Sequence, residues 1–176
     1  MTEGSFQFLG KNSVDEFGIY VRQYIPVSPN KRIRKSTIPY RHGSYNYGVK
    51  AYEEIEIVLE CFCARDFERD DFRRVSAWLS KPGNLTFWDE PDKFYKGEFE
   101  SFSNIDEFNL LRMKEFQLSF IAHPFAFSQR RSEQIREGIN KLTYAGTVEQ
   151  PAYLRLINNS GQIINGVQIS LVYLED

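Results

Sequence analysis

The side chains best suited to binding a metal are two cysteines and two histidines. Cys61 and Cys63 lie two residues apart, while His42 and His123 lie far from them in the sequence. A zinc site built from these four residues requires all of them to converge, and zinc-binding cysteines usually have a wider spacing near a turn. Two cysteines on alternate positions of an apolar segment indicate free thiols buried on one face of a strand. We expect no metal site and no disulfide.

A second group that could bind a metal ion is the acidic stretch Asp89-Glu90-Pro91-Asp92. Calcium loops with a readable signature alternate their ligands and place a glycine at a set position, and this stretch has neither feature. It is typical of a solvated turn between two strands. The sequence also contains neither a Gly-x-Ser-x-Gly motif nor a phosphate-binding glycine pattern. We therefore expect a protein that is not an enzyme and that binds no cofactor.

The strongest charge feature is a basic segment that begins at residue 31 and meets no acidic residue before Glu53. Tyrosines and glycines follow it, which predicts a long hairpin or loop with aromatic side chains at its rim. Such a segment could contact an acidic protein or DNA, or it could be a solvated hairpin whose charges prevent edge-to-edge aggregation. DNA is the least favoured partner, because the whole chain has a net charge of -2 and nucleic-acid-binding domains are usually basic. The residues proposed to contact a partner are Arg32, Arg34, Lys35, Tyr40, Arg41, Tyr45 and Tyr47.

The elements that position these groups are mainly strands. The chain has 176 residues, enough for one core or for one domain with a small appendage. Aromatic residues make up 15% of it, which favours a β-rich protein that assembles with others. Neither a signal-peptide pattern nor an apolar run of membrane-spanning length is present, so we expect synthesis in a cytoplasm and no membrane contact.

Alternation of apolar and polar residues predicts the strands. The clearest is residues 54–63, and further strands are predicted at 5–9, 19–25, 85–88, 94–102 and 115–122. Asp15 to Gly18 is predicted to be a turn, and residues 104–109 a polar connection.

One helix is predicted, from about Asp66 to Ser80. Acidic residues crowd its first turns, where they suit the helix dipole. Phe72, Val75 and Leu79 form an apolar stripe with Trp78 beside it.

The last quarter of the chain differs in composition. Residues 129–138 are charged and weakly periodic, which indicates a domain boundary or linker. Two strands are predicted beyond it, at residues 152–157 and 167–173. Two strands are too few for an independent fold. This segment must pack on the main domain, pair with another chain, or begin a domain that the chain does not complete.

Trp78-Leu79 is followed by the turn Trp88 to Asp92 and by Tyr95, and Pro124-Phe125 follows the last predicted strand of the main domain. This order of motifs resembles the N-terminal domain of the distal tail proteins of long-tailed phages and prophages. The series from Trp78 to Tyr95 is the most specific part, and Pro124-Phe125 is nearly as specific. The resemblance covers residues 5 to about 128. One loop departs from the family's Gly-Arg-Asp-Gly pattern, because Tyr40 and His42 replace its first Gly and its Asp, whereas Arg41 and Gly43 are retained. The residues carried over as structural family positions are Gly43, Trp78, Leu79, Trp88, Asp89, Asp92, Tyr95, Pro124 and Phe125.

The resemblance implies a fold and a function. The fold is mainly β, of α+β type: a β-sandwich-like domain with one packed helix and a protruding hairpin, over residues 1–130. A linker and a short C-terminal β segment follow at 131–176. The function is to form a hexameric ring hub at the distal end of the tail tube, which joins the tube to the baseplate or tail fibre.

The implied partners are other copies of the chain, the tail tube protein, a tail fibre or tail-associated protein, and the tape measure protein. DNA passes through the channel without specific binding, and the protein is located in the virion tail. Two alternatives stay open from the sequence. One is a tail-tube or injection-system tube protein, and the other is a β-sandwich module that binds carbohydrate on a host surface.

Overall fold

The computed structural model describes residues 1–25, 28–66, 68–100, 115–149 and, beyond these, 151, 153–159, 161–163, 165–170 and 172. Two compact units divide the chain, Met1–Ser132 and Glu133–Asp176. The strands are β1 (Phe6–Phe8), β2 (Lys11–Asn12), β3 (Ile19–Ile25), β4 (Lys31–Thr37), β5 (Ser44–Tyr52), β6 (Ile55–Cys63), β7 (Gly83–Phe87), β8 (Lys93–Phe99), β9 (Glu115–Ala122) and β10 (Phe127–Ser128). The helices are α1 (Ser13–Phe17) and α2 (Arg69–Leu79).

The first unit is built on one antiparallel sheet with the strand order β2-β1-β7-β8-β9-β6-β3, and β10 pairs with β8. The sheet curls back on itself, because the Val21 N–H of β3 donates a 2.7 Å hydrogen bond to the Gly4 carbonyl just before β1. The Tyr24 ring of β3 also stacks on Phe87 of β7, with centroids 3.9 Å apart. The mainly β, sandwich-like fold predicted from the sequence is confirmed.

Strand β6 shows how the sequence pattern sets the core. Its odd-numbered residues, from Ile55 to Cys63, are buried, whereas Glu56 and Glu60 are exposed. The side chains of β9 alternate in the same way, and the two strands pair from Ile55↔Ala122 to Phe62↔Glu115. Period-two alternation therefore placed both strands correctly, because one face of each packs on the core and the other meets solvent. Cys61 and Cys63 are both buried on the core side of β6, as predicted.

Helix α2 covers the core, but it starts three residues later than predicted. Glu68 precedes it in an extended conformation, and its N–H lies 3.4 Å from Asp71 Oδ2. This contact satisfies a backbone donor at the helix start, so the helix begins at Arg69 rather than Asp66. Val75, Trp78 and Leu79 are buried, and Phe72 packs against the core with part of its surface exposed.

The segment predicted to be a turn at Asp15 to Gly18 forms most of the short helix α1. The Asn12 side chain caps its start by accepting hydrogen bonds from the N–H groups of Val14 (2.9 Å) and Asp15 (3.2 Å). Gly18 ends it with φ 68° and an N–H bond to the Val14 carbonyl. The glycine and the acidic residues suggested a turn, but with an Asn cap they specify one helical turn.

The predicted basic hairpin is formed by β4 and β5, which make a separate two-stranded antiparallel sheet. Strand β8 was predicted to reach residue 102 and ends at Phe99; residues 101 and 102 lie outside the described residues, as does the predicted connection 104–109.

The second unit contains the predicted C-terminal strands at 152–157 and 167–173. None of the described residues in these ranges forms a strand, so this part of the prediction is not met there. Many of their apolar side chains are exposed, including Tyr153, Leu156 and Ile169. Alternation alone does not form a strand when no neighbouring strand satisfies its backbone.

Candidate partner interface on the hairpin

The base of the hairpin is held by charged and backbone hydrogen bonds. The Arg32 guanidinium donates two bonds to the Glu53 carboxylate, from Nε to Oε1 (2.8 Å) and from Nη2 to Oε2 (2.9 Å). The Glu53 N–H also donates to the Asn30 carbonyl at 2.8 Å. The hydrogen bonds from Arg32 lower the pKa of the Glu53 carboxyl below its usual range. Arg32 therefore has a structural role at the base of the hairpin.

The tip of the hairpin exposes an aromatic side chain from a constrained backbone. Tyr40 is fully exposed and has φ 64°, a left-handed conformation that is uncommon for a residue with a side chain. Gly43 follows with φ 78°, and a Cβ at this position would meet no atom within 4 Å. The Arg41 N–H donates to the Ile38 carbonyl at 3.2 Å, which closes the turn. The departure from the family pattern at Tyr40 thus places a tyrosine at the tip.

Along the strands, arginines lie over tyrosine rings. The Arg34 guanidinium lies 5.7 Å from the Tyr47 ring centre, and that of Arg41 lies 5.9 Å from the Tyr45 ring centre. The two tyrosine rings meet edge to face at 5.0 Å. Each ring remains about half exposed. The result is a set of paired cations and rings on one side of the hairpin, a geometry in which the positive charge and the ring face attract.

The positive charge of the hairpin is largely unneutralised. Arg32 has an acidic partner, but within the described residues no carboxylate forms an ion pair with Arg34, Lys35 or Arg41. Exposed aromatic and arginine side chains are enriched at protein interfaces, where they contribute much of the binding free energy. The structure therefore brings the predicted contact residues together on one exposed element, with Arg32 at its base.

Trp78 and Leu79, two of the family-motif residues, lie in the core rather than at a surface site. The Trp78 ring stacks on Phe17 at 4.7 Å and on Phe6 at 5.5 Å. Its Nε1–H donates to the Phe8 carbonyl at 2.9 Å, so the one polar atom of the ring is satisfied. Leu79 is buried beside it.

Motif residues of the β7–β8 turn and of β8 form a cluster around Tyr24. The Tyr24 hydroxyl donates a 2.6 Å hydrogen bond to Asp89 Oδ2, and its ring lies 5.6 Å from that of Trp88. Burial is the main cause that raises the pKa of Tyr24 well above its usual value, and the hydrogen bond to Asp89 adds to it. Tyr95 packs edge-on against Phe87 at 6.2 Å, and burial raises its pKa as well. Asp89 and Asp92 are both exposed, and Asp89 has a structural role through its hydrogen bond to Tyr24.

Pro124 and Phe125 lie beside the hairpin base. Both are partly buried, and the Phe125 ring meets Tyr52, the last residue of β5, edge to face at 4.9 Å. The Phe125 N–H lies 3.3 Å from His123 Nδ1. This motif therefore links the end of β9 to the hairpin.

The sequence did not predict the structural roles of two residues, Glu53 and Tyr24. Glu53 is the first acidic residue after the basic run and directly follows β5, which is the signal that could have identified it as a partner for Arg32. Tyr24 gave no signal, because its partner Asp89 is 65 residues away.

Within the described residues no group of three or more His, Cys, Asp or Glu side chains is placed to hold a metal ion. Burial is the main cause that raises the pKa of the Cys61 thiol, followed by the nearby Cys63. No helix in the described part of the chain is long and apolar enough to cross a membrane.

Comparison with protein families identifies the class. A family model described as phage tail protein RIFT-related domain matches residues 13–122. The match spans more than half of the chain, so the chain belongs to this family of phage tail proteins, and its location is the virion tail. A search of curated proteins gave no match.

Comparison with solved structures shows a known protein that shares the fold. The chain has the fold of the Dit (gp 19.1) protein of phage SPP1, whose crystal structure is described as a paradigm of the hub adsorption apparatus in phages that infect Gram-positive bacteria. The TM-score is 0.55 at 20% sequence identity, over 70% of this chain and 51% of the SPP1 chain. This chain thus spans about half the length of that protein. The resemblance to distal tail proteins seen in the sequence is confirmed.

Proposed function

We propose that this protein forms a ring hub at the distal end of a long-tailed phage or prophage tail, where it joins the tail tube to the baseplate or tail fibre. The observation that carries the proposal is the hairpin. It forms a sheet of its own in a fold shared with a tail hub protein, and its exposed rings, together with cations that pair with no described carboxylate, are suited to a protein contact.

The hairpin supplies a contact that can close a ring. A ring of identical subunits needs a heterologous interface, in which one surface of a subunit meets a different surface of the next. A hairpin that forms its own two-stranded sheet and exposes its tyrosines is suited to this, because it offers a neighbour a surface distinct from the main sheet. The seven residues of β4 extend roughly 23 Å at about 3.3 Å per residue. We assign the subunit contacts to Arg34, Lys35, Tyr40, Arg41, Tyr45 and Tyr47, with Arg32 holding the base.

The remaining features fit the same function. Residues 1–130 form the ring domain in this proposal, and residues 131–176 form a linker and a following segment that lead toward the next part of the tail. The tube protein, the tape measure protein and a fibre or tail-associated protein are its neighbours. A net charge of -2 suits a channel through which DNA passes without being held.

The test is the size and shape of the purified chain in solution. Size-exclusion chromatography with light scattering gives the mass, and negative-stain electron microscopy gives the shape. We expect closed rings with six-fold symmetry that end at one ring or a pair. Long stacked tubes would instead identify a tube protein, and a monomer at the highest soluble concentration would contradict self-assembly of this chain.

A further inference from the structure

Charge is divided unevenly between the hairpin and the rest of the protein. Residues 31–52 contain six Lys or Arg residues and no Asp or Glu. The whole chain has a net charge of -2, so the residues outside the hairpin have a net charge of -8. One chain therefore carries a basic projection on an acidic remainder. Such a distribution favours the approach of one copy to another, with the hairpin of the first facing an acidic surface of the second.

The strongest candidate for that acidic surface is the outer face of the sheet formed by β6, β9 and β8. Across it, Glu56 of β6 and Glu98 of β8 both pair with Ile121 of β9, so the three residues form one row. Adjacent strands lie about 4.8 Å apart, which puts the two glutamate backbones roughly 10 Å from each other. Both glutamates are exposed, and Ile121 between them is half-buried.

The face continues along β6 and β9. Glu60 is exposed four residues beyond Glu56 and pairs with Gln117. Val58 lies half-buried between these glutamates and pairs with Ser119. The Glu100 N–H donates to the Ser119 carbonyl at 2.9 Å. Glu100, which is also exposed, therefore lies beside Ser119 of β9. Acidic residues thus outnumber basic ones around a small apolar patch on this face, where Arg22 pairs with Glu115 at 2.7 Å and Lys96 is exposed two residues before Glu98.

The hairpin presents the complementary pattern. Arg34 and Arg41 lie over Tyr47 and Tyr45, so two guanidinium groups and two rings are exposed together. Each ring therefore keeps about half of its surface available to a partner. Arginines can donate paired hydrogen bonds to carboxylates, and the rings can cover Val58 and Ile121. The nine residues of β6 extend roughly 30 Å, enough to accommodate the length of the hairpin.

We propose that the outer face of β6, β9 and β8 is the acceptor surface for the hairpin of the neighbouring copy in the ring. Glu56, Glu60 and Glu98 receive Arg34 and Arg41, and Val58 and Ile121 receive the tyrosine rings. This inference rests on the proposed ring function and specifies its interface. The contact is heterologous, so each copy uses its hairpin toward one neighbour and its sheet face toward the other.

A charge-reversal experiment on the full chain tests this pairing. The hairpin variant carries Arg34→Glu and Arg41→Glu, and the face variant carries Glu60→Arg and Glu98→Arg. Every mutated side chain is on an exposed surface, so the melting temperature should match that of the wild type at concentrations too low for assembly. Each variant alone should need at least about 100-fold higher concentration for half-assembly, because like charges then face each other. A control variant with Glu3→Arg and Glu16→Arg changes charge equally off this face and should assemble as the wild type does.

Mixing the two variants gives the decisive result. The acidic hairpin of one then meets the basic face of the other, and the basic hairpin of the second meets the acidic face of the first. We expect an equimolar mixture to regain assembly, measured by light scattering. If the face variant assembles normally while the hairpin variant does not, the ring proposal stands and this acceptor surface is wrong. A mixture that stays monomeric overturns the pairing too, and a monomeric wild type overturns the ring proposal itself.

Discussion

Aromatic side chains are buried in the core but stay exposed on the hairpin. In the core, Phe6 and Phe17 both stack on Trp78, and all three rings are almost fully buried. In the hairpin, Tyr45 and Tyr47 meet edge to face, are covered only in part by arginines, and stay about half exposed. Burial of rings stabilises a fold, whereas exposed rings with cations are available to a partner. Stability should therefore reside in the first region and assembly in the second.

The largest expected effect on stability comes from Trp78→Ala. It removes a buried ring and leaves the Phe8 carbonyl without its donor, so the free energy of unfolding should fall by about 3–5 kcal/mol. Denaturant titration measures the loss. The matched control is Tyr47→Ala in the hairpin, which should change stability by less than about 0.5 kcal/mol. A loss below about 1 kcal/mol for Trp78→Ala would show that this ring does not stabilise the core.

The close contact between Gly97 of β8 and the backbone of β9 gives the next test of core stability. A Cβ added at Gly97 would run into the Ile121 carbonyl and lie 2.8 Å from Ala122 Cα, both in the backbone of β9. The strand pair must separate to admit it, so Gly97→Ala should cost about 3 kcal/mol. At the hairpin tip, Gly43→Ala meets no atom and adds only left-handed backbone strain of about 1 kcal/mol. If thermal or denaturant unfolding gives equal losses of stability for Gly97→Ala and Gly43→Ala, the expected difference between the core and the hairpin is wrong.

Tyr24 gives a smaller effect that depends on pH. Its folded pKa is raised above the usual value of 10.0, so its contribution to stability is complete below about pH 10 and is lost as the pH rises above that value. Tyr24→Phe removes the hydrogen bond to Asp89 and should cost about 1 kcal/mol at neutral pH. The variant should also lose stability less steeply above pH 10 than the wild type. Parallel alkaline unfolding curves would show that the Tyr24 hydroxyl has no such role.

Much of the core could be read from the sequence, because regular alternation reports burial directly. β3 and β6 fall within a residue of their predicted bounds. Elements set by single caps or by distant partners could not be read in the same way. The helix α1 depends on Asn12 and Gly18, and β10 depends on pairing with β8, about 34 residues earlier in the chain. The predicted C-terminal strands show the reverse case, in which alternation is present but the described residues of these segments form no strand.

The candidate interface was predictable in composition but not in detail. The basic run and the tyrosines identified the hairpin, because a segment without acidic residues is visible in the sequence. The sequence could not show that Arg32 is held by Glu53, or which arginine lies over which tyrosine. Those facts depend on strand register, which shifts twice between Lys31 and Lys35. The acidic sheet face likewise becomes visible only when β8 and β9 are placed beside β6.

The central claim is that the hairpin drives assembly without stabilising the fold, and one comparison tests it most directly. The variant carries Arg34→Gln, Lys35→Gln and Arg41→Gln, and its control carries Lys11→Gln, Arg73→Gln and Lys81→Gln, which remove the same charge elsewhere. Light scattering and thermal melting are measured for both and for the wild type. We expect the hairpin variant to be monomeric while the control assembles, and its melting temperature to equal that of the wild type measured below the wild type's assembly concentration. An intact ring with a lowered melting temperature in the hairpin variant would contradict the claim.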